Sequence, residues 1–521
     1  MSSRQGSKSN SRLSGRADFF SGGRLREEEG VVIRDWGGRY PIAIIYPNKY
    51  FIGMSNLGIQ ALYGYLNACS GIIGERVFWE NDGKPLLSIE SSRPLMDFAC
   101  LAFSFSYELD YLNLAAILRD AGIPLWAKDR GDNHPLLIAG GPCITANPSP
   151  VAPFFDVLCI GEAEAILPDV LPILSEGLGR IELLTRLNSV PGLCVPSLAN
   201  RRTIQRRWLK SINEYPTHSV VLTRDTELGD LYLIEVERGC SAYCNFCLVS
   251  RIFCPLRFHS YDSLIRQVCE GLKYRTRIGL VGPVVTDHPQ IEDLLDAILK
   301  LGAGFSVSSM RIKSLTESLL GKMVCGGVNS IALAPEAGSD RLRYVIRKGF
   351  DEKEIMSAID MVAKHPFKRL KLYFMVGLPS ETTEDVASIV DLALKCQKRL
   401  DSKKQGCRIR LNIAPFVPKA GTPFQRMGMM EESVLSERIN YIRDHLSGEG
   451  LEVNAESPQW SHVQATLSRG DSSLAGALAV LDKVSLANWR SAGKKMGVNL
   501  AHFALQTWQQ QEKLPWGMIR L

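Results

Sequence analysis

The stretch Cys240-Ser-Ala-Tyr-Cys244-Asn-Phe-Cys247 places three thiols within eight residues, with three and then two residues between them. Thiolates are soft ligands for iron and zinc. A loop of this length can wrap an inorganic cluster, and three ligands leave one iron of a four-iron cluster open to a further molecule. Zinc is the rival metal: a structural zinc site takes four protein ligands, and Cys254, seven residues beyond Cys247, offers a fourth. A reactive or merely buried thiol pair is the plainest alternative, because free cysteine is often buried. The surroundings favour the cluster. An apolar run, Leu231-Tyr-Leu-Ile-Glu-Val236, leads straight into the loop, and strand-helix alternation follows it.

The spacing, with Phe246 immediately before the last cysteine, resembles the signature of the radical S-adenosylmethionine (SAM) enzymes. The resemblance implies a [4Fe-4S] cluster on Cys240, Cys244 and Cys247. It also implies a free iron chelating the amino and carboxylate groups of SAM, and a reductive split of SAM into methionine and a 5′-deoxyadenosyl radical. Strands are expected near 231–236, 277–281, 305–309, 329–334, 369–375 and 409–415, with helices such as Tyr261 to Tyr274 and Ile291 to Leu299 between them. Six such units match the partial (β/α)6 barrel of that superfamily, in which function gathers at the carboxyl ends of the strands.

Those ends carry the candidate SAM contacts. The second strand ends Val281-Gly282-Pro283, where the family has a Gly-Gly-Glu-like turn; the glutamate is missing, so contact there falls to the backbone of Gly282. Asp287 and His288 follow as candidate catalytic groups, although a lone loop histidine is more often structural. Ser308 and Arg311 close the third unit. Ala334-Pro-Glu336-Ala-Gly-Ser339 resembles the family's Gly-x-Glu-Ser-Gly turn, which implies that Glu336 meets the ribose hydroxyls and Ser339 opens a helix. Gly377-Leu-Pro-Ser-Glu-Thr382 resembles the Gly-x-Pro-x-Glu-Thr element of cobalamin-type members; Gly377 would shape the adenine pocket, and Ser380 or Thr382 reads as an N-cap.

Ahead of the cysteines, Tyr40 to Pro47, Phe98 to Ser104, Pro135 to Ala139 and Asp156 to Ile160 read as short buried strands alternating with helices, among them one through Leu57, Ala61, Leu62 and Leu66 capped by Ser55 or Asn56. This predicts a flavodoxin-like doubly wound parallel sheet, with ligands at the strand carboxyl ends. Such a domain before a radical SAM module resembles the cobalamin-binding domain of the cobalamin-dependent members. Ser104 and Ser106, the pair Gly140 and Gly141, and Gly161-Glu162-Ala-Glu fit that resemblance and are the candidate cobalamin contacts. The Asp-x-His-x-x-Gly loop that supplies a cobalt ligand in other cobalamin binders is absent, since Pro47-Asn-Lys-Tyr-Phe-Ile-Gly53 holds no histidine.

At 521 residues the chain exceeds one ordinary core. Its sequence divides into a disordered basic tail (1–30), the cobalamin-type domain (31–200), a linker (201–229), the barrel (230–425) and a mainly helical C-terminal region (426–521). Arg201-Arg-Thr-Ile-Gln-Arg-Arg-Trp-Leu-Lys210 is a basic cluster that could touch nucleic acid, though a charged linker is the commoner case. A net charge of +6 argues no more than solubility. No apolar run reaches membrane length, and thirteen scattered cysteines suit a reduced, cytoplasmic setting. The expected function is radical SAM chemistry with cobalamin-dependent methyl transfer to an unactivated carbon, served by a reductant protein such as flavodoxin or ferredoxin. Alternatives are a cobalamin-free coupling, rearrangement or RNA-modifying enzyme, and a non-enzymatic iron-sulfur or zinc protein that senses redox state or binds RNA. Methylthiolation is disfavoured because Cys69, Cys100 and Cys143 are too dispersed for a second triad.

Overall fold

The computed structural model describes residues 16–21, 24–198, 203–403 and 406–521. Its N-terminal sheet is built from β1 (Tyr40–Tyr46), β2 (Ile72–Phe78), β3 (Cys100–Ser104), β4 (Leu136–Gly140), β5 (Val157–Cys159) and β6 (Leu193–Cys194) in the order β2-β1-β3-β4-β5-β6. All pairings are parallel except β5 with β6. This is the flavodoxin-like order, reversing at β1 and β3. The helix Leu57–Ala68 that follows β1 starts where Asn56 accepts hydrogen bonds from the backbone amides of Gly58 and Ile59.

β2 is the strand the alternation does not announce. It is buried on every residue, yet it carries Glu75 and Arg76. Their charges are matched inside the fold: Trp36 Nε1 donates to Glu75 at 2.6 Å, and Arg76 reaches Glu90 and Glu28, each at 2.6 Å. Glu28 belongs to a hairpin, Arg16–Ser21 with Arg24–Glu29, whose second strand also pairs with Leu222–Thr223. The tail expected to be disordered over 1–30 is therefore strand from Arg16 onward, apart from the undescribed residues 22 and 23. Residues 1–15 lie outside the described residues.

The second α/β unit comprises β7 (Tyr232–Glu235), β8 (Arg277–Val281), β9 (Gly304–Val307), β10 (Ser330–Glu336), β11 (Arg369–Val376), β12 (Arg408–Pro415) and β13 (Glu452–Ala455). The first six stand at the expected positions, and β13 adds a seventh at the edge. They form two parallel sheets, β7-β8-β9 and β10-β11-β12-β13, so the array is open rather than a closed barrel. Residues such as Ile234, Leu280, Leu372 and Ile413 pack outward with the covering helices into one core.

Helices Glu432–Ser447, Pro458–Arg469, Leu474–Ala479, Leu486–Lys495 and Leu500–Leu505 dominate the C-terminal region. They also fill the seam between the units: Leu467, Leu474 and Trp489 share a core with Phe103 and Phe105 of the N-terminal sheet. The final strand, Ile519–Arg520, pairs with Ile204–Gln205 of the linker. Two of the linker's basic residues are engaged inside the protein. Arg206 is buried, and Arg207 pairs with Asp169 at 3.0 Å; Arg201 and Arg202 lie outside the described residues. Among the described residues no helix is long and apolar enough to cross a membrane.

Candidate functional site

The loop after β7 can close only because residue 239 is glycine. Gly239 has φ +93°, and a Cβ there would stand 2.5 Å from the carbonyl oxygen of Phe253. Asn245 then anchors the loop. Its amide donates to Ile346 O at 3.0 Å, its Nδ2 to Val345 O at 2.8 Å, and its carbonyl accepts from Phe424 N at 3.2 Å. Cys240 and Cys244 are buried and Cys247 is half-buried, and no disulfide ties them.

Two cations flank these thiols. Arg311 Nη2 lies 3.7 Å from Cys240 Sγ, and Arg311 is itself held by Asp287 at 2.7 Å. Burial pushes the Cys244 and Cys247 thiols up, and the nearby Lys348 ammonium opposes that push. Lys348 also binds Glu336 at 3.1 Å. The donor set fits an iron-sulfur cluster: three thiols on one loop, close enough to feel each other's charge, with two cations to offset the thiolates. Among the described residues, no three His, Cys, Asp or Glu side chains converge as they would around one metal ion. Cys254 has separate neighbours: its Sγ donates to Arg251 O at 3.1 Å and stands 3.6 Å from Arg206.

The other candidates of this unit divide by what they already bind. Ser308 staples two strand ends, its Oγ donating to Gly282 O at 3.1 Å and accepting from Gly282 N at 3.2 Å. Gly282 has no side chain because Glu237 fills that space; a Cβ would lie 2.8 Å from Glu237 Cγ. Glu237 accepts from Val284 N with one oxygen, while buried Oε2 has no partner. Burial pushes its carboxyl up to about 8. His288 spends both ring nitrogens inside the protein, on His259 O at 2.9 Å and Gln290 N at 3.1 Å. That is the geometry of a structural histidine, so Asp287 is the member of the pair that faces the cysteine loop through Arg311.

Glu336 terminates β10 in a left-handed conformation, φ +67°, which turns its carboxylate back toward Lys348. Ser339 caps the helix Asp340–Val345, accepting from Leu342 N at 3.2 Å, and also bonds Asp385. Gly377 has φ +84°, and its amide is taken by Glu381 Oε1 at 2.9 Å. Thr382 rather than Ser380 caps the next helix.

At the carboxyl edge of the N-terminal sheet lies a cavity of about 440 Å³. Ser104, Ser106, Gly140, Gly141, Gly161 and Glu162 all line it, as does Phe253 just beyond the cysteine loop. Gly141 and Gly161 are required there. With φ +103° and +134°, a Cβ would stand 2.6 Å from Phe105 O and 2.1 Å from Arg207 O. The walls are mostly apolar, and no histidine is among the described lining residues.

Glu162 has a structural duty as well. Arg257 grips both its oxygens at 2.6 and 2.9 Å, and Arg238 reaches it at 3.2 Å while also binding Glu164 and Glu235 at 3.0 and 2.8 Å. Arg238 stands two residues before Cys240, so this buried network ties the cavity floor to the cysteine loop. A second junction joins three regions: Lys419 Nζ donates to both oxygens of buried Glu108 at 2.6 and 2.7 Å, and Gln464 adds a bond at 2.9 Å. Sequence reasoning missed these pairs. The one signal for them is Glu235-Val-Glu237-Arg238, three charges in a buried strand end.

Comparison with known proteins agrees with this layout. Residues 58–196 match the family model for radical SAM proteins, N-terminal, and residues 234–393 match that of the radical SAM superfamily. An uncharacterized protein of Methanocaldococcus jannaschii is 32% identical over 441 residues, 83% of this chain and 89% of its own. A tRNA-2-methylthio-N(6)-dimethylallyladenosine synthase of Petrotoga mobilis is 24% identical over 238 residues, 42% of this chain and 52% of its own. An uncharacterized methyltransferase of Pyrococcus horikoshii is 25% identical over 283 residues, covering 52% and 60%. Among solved structures, the cobalamin-dependent SAM radical enzyme OxsB, with aqua-cobalamin and SAM bound, superposes with a TM-score of 0.53 at 13% identity. The superposition covers 89% of this chain and 72% of that one. The chain belongs to the radical SAM superfamily and is an enzyme of that superfamily with the radical SAM N-terminal domain.

Proposed function

We propose that the protein is a cobalamin-dependent radical SAM methyltransferase acting on an unactivated carbon. The observation that carries this reading is the cavity at the carboxyl edge of the N-terminal sheet, lined by all six residues singled out for cobalamin and bordered by Phe253 beyond the cysteine loop. When bound, the cluster and SAM supply a 5′-deoxyadenosyl radical and the corrin supplies a methyl group. Cys240, Cys244 and Cys247 would hold the cluster, and Arg311 and Lys348 would offset the thiolate charge. Asp287 orients Arg311. Glu336 presents a carboxylate to the ribose, and Glu237, with its unpartnered Oε2, stands beside Gly282, where the strand end itself has no acid. Glycines 141 and 161, with Ser104 and Ser106, line the cavity that would hold the corrin. Ser308, Ser339 and Gly377 shape the SAM pocket through the turns they fix.

No histidine is among the described lining residues, so those residues would offer cobalt no imidazole. Anaerobic purification from cobalamin-replete cells tests the reading directly: about one cobalt per chain is expected. Retention should fall sharply in Gly141→Val, whose side chain would meet Phe105 O. A chain that holds iron but never holds cobalt under these conditions would be a radical enzyme of another reaction class.

A further inference from the structure

The inner faces of β10 to β13 carry polar groups that are not used up within the protein. On these strands Leu372, Phe374, Leu411 and Ile413 join the core under the helices. Successive side chains on a strand alternate faces, so Lys371, Tyr373, Arg410, Asn412 and Asn454 share the opposite, concave face. Pairing arranges them in two levels. Lys371 stands opposite Arg410, and Arg410 opposite Glu452; nearer the carboxyl ends, Tyr373 stands opposite Asn412, and Asn412 opposite Asn454.

Donors outnumber acceptors on this face. Arg410 meets Glu452 at 2.5 Å, but its buried Nε has no partner, and neither has the buried Nδ2 of Asn412. Among the described residues Lys371 meets no carboxylate, so two adjacent cations share one acid. Like charges directly opposite on neighbouring strands destabilise a sheet, and buried donors without acceptors cost free energy. Tyr373 is 41% exposed although it sits in the middle of an inner strand, so its ring borders open space. An oxyanion between Lys371 and Arg410 would balance their charge, and further oxygen acceptors would meet Asn412.

We propose that this concave face is the substrate-binding surface for the radical chemistry above, and that it takes a small substrate bearing an oxyanion, carboxylate or phosphate. The oxyanion sits between Lys371 and Arg410. Asn412 and Asn454 meet further oxygen acceptors, and the Tyr373 ring covers an apolar part of the substrate. The inference rests on the radical SAM reading and adds the substrate class.

Acetylation of lysines on the intact chain, reconstituted anaerobically and read by peptide mass spectrometry, tests it without turnover. Inorganic phosphate or malonate should slow modification of Lys371 severalfold, with Lys395, paired to Glu352 on the outer surface, unaffected. Protection by phosphate alone marks phosphoryl substrates, and protection by malonate alone marks carboxylates. Lys371→Gln, which breaks no contact, and Arg410→Gln should each weaken binding of the protecting anion by about tenfold in calorimetry. If neither anion protects Lys371, or if both variants bind as the parent does, the proposal is overturned. 5′-Deoxyadenosine release in the same preparation separates the two claims. A chain that cleaves SAM but binds neither anion loses only this inference, whereas one that never cleaves SAM loses the radical reading and the substrate role of this face with it.

Discussion

Cys244 and Cys254 lie ten residues apart and meet different neighbours, so they should respond differently to substitution. Cys244 shares the charge environment of Cys240, Cys247 and Lys348, whereas Cys254 rests on Arg251 O beside Arg206. Cys244→Ala should abolish cluster absorbance and most iron after reconstitution, and Cys254→Ala should retain both; iron and sulfide analysis decides it. Asp110 carries a second prediction at this scale. One oxygen accepts from Asn48 Nδ2 at 2.8 Å, the other is buried without a partner, and burial pushes the carboxyl up to about 7. The folded chain therefore keeps a proton that the unfolded chain releases above about pH 4. Stability from this group is full below that pH, falls as pH rises toward 7 and is flat above it. Asp110→Asn should match the parent near pH 4 and exceed its thermal midpoint by pH 8; an unchanged difference across that range would contradict the assignment. That the three cysteines share one loop was legible in sequence, because three and then two residues separate them. Glu237 and His288 were not, since their roles depend on which neighbours fill Gly282 and on the carbonyl of His259.

Strands and turns were legible where burial is simple. β10, β11 and β12 stand within a residue or two of their expected bounds because one face alternates cleanly against the helices. β2 escaped because Glu75 and Arg76 sit inside it, paid for by ion pairs from distant segments that no local pattern reveals. The hairpin over 16–29 escaped for a related reason: its acidic run looks like a solvated tail until Glu28 meets Arg76. Turns have sharper consequences. Gly161→Ala forces a side chain into φ +134° against Arg207 O and should destabilise by about 1–3 kcal/mol or more. A lowered thermal midpoint with loss of cobalt retention is the expected result; an unchanged midpoint would mean that the turn relaxes freely.

At the scale of the whole molecule, two buried charge networks hold the cofactor domains in register. Glu162 with Arg238 and Arg257 lies under the cavity, and Glu108 with Lys419 and Gln464 joins the N-terminal sheet, the loop after β12 and a C-terminal helix. Lysine holds the Glu108 carboxyl below its ordinary range despite complete burial. Removing one partner leaves an uncompensated buried charge, so Lys419→Met should destabilise by about 3–5 kcal/mol, and Glu108→Gln with Lys419→Met should recover part of that loss. Thermal midpoints and limited proteolysis of the linker report both. The two parallel α/β sheet systems were readable from the alternation of strands and helices, although β2 was not among the expected strands. The networks that join the domains were not readable, because their partners are remote in sequence: Glu108 and Lys419 stand 311 positions apart, and Glu162 stands 76 from Arg238 and 95 from Arg257. The most direct test of the central claim is mass spectrometry of SAM products after anaerobic reconstitution with cobalamin and a strong reductant. Formation of both 5′-deoxyadenosine and S-adenosylhomocysteine is the predicted result; 5′-deoxyadenosine alone would contradict methyl transfer and leave a radical enzyme whose N-terminal cavity serves another ligand.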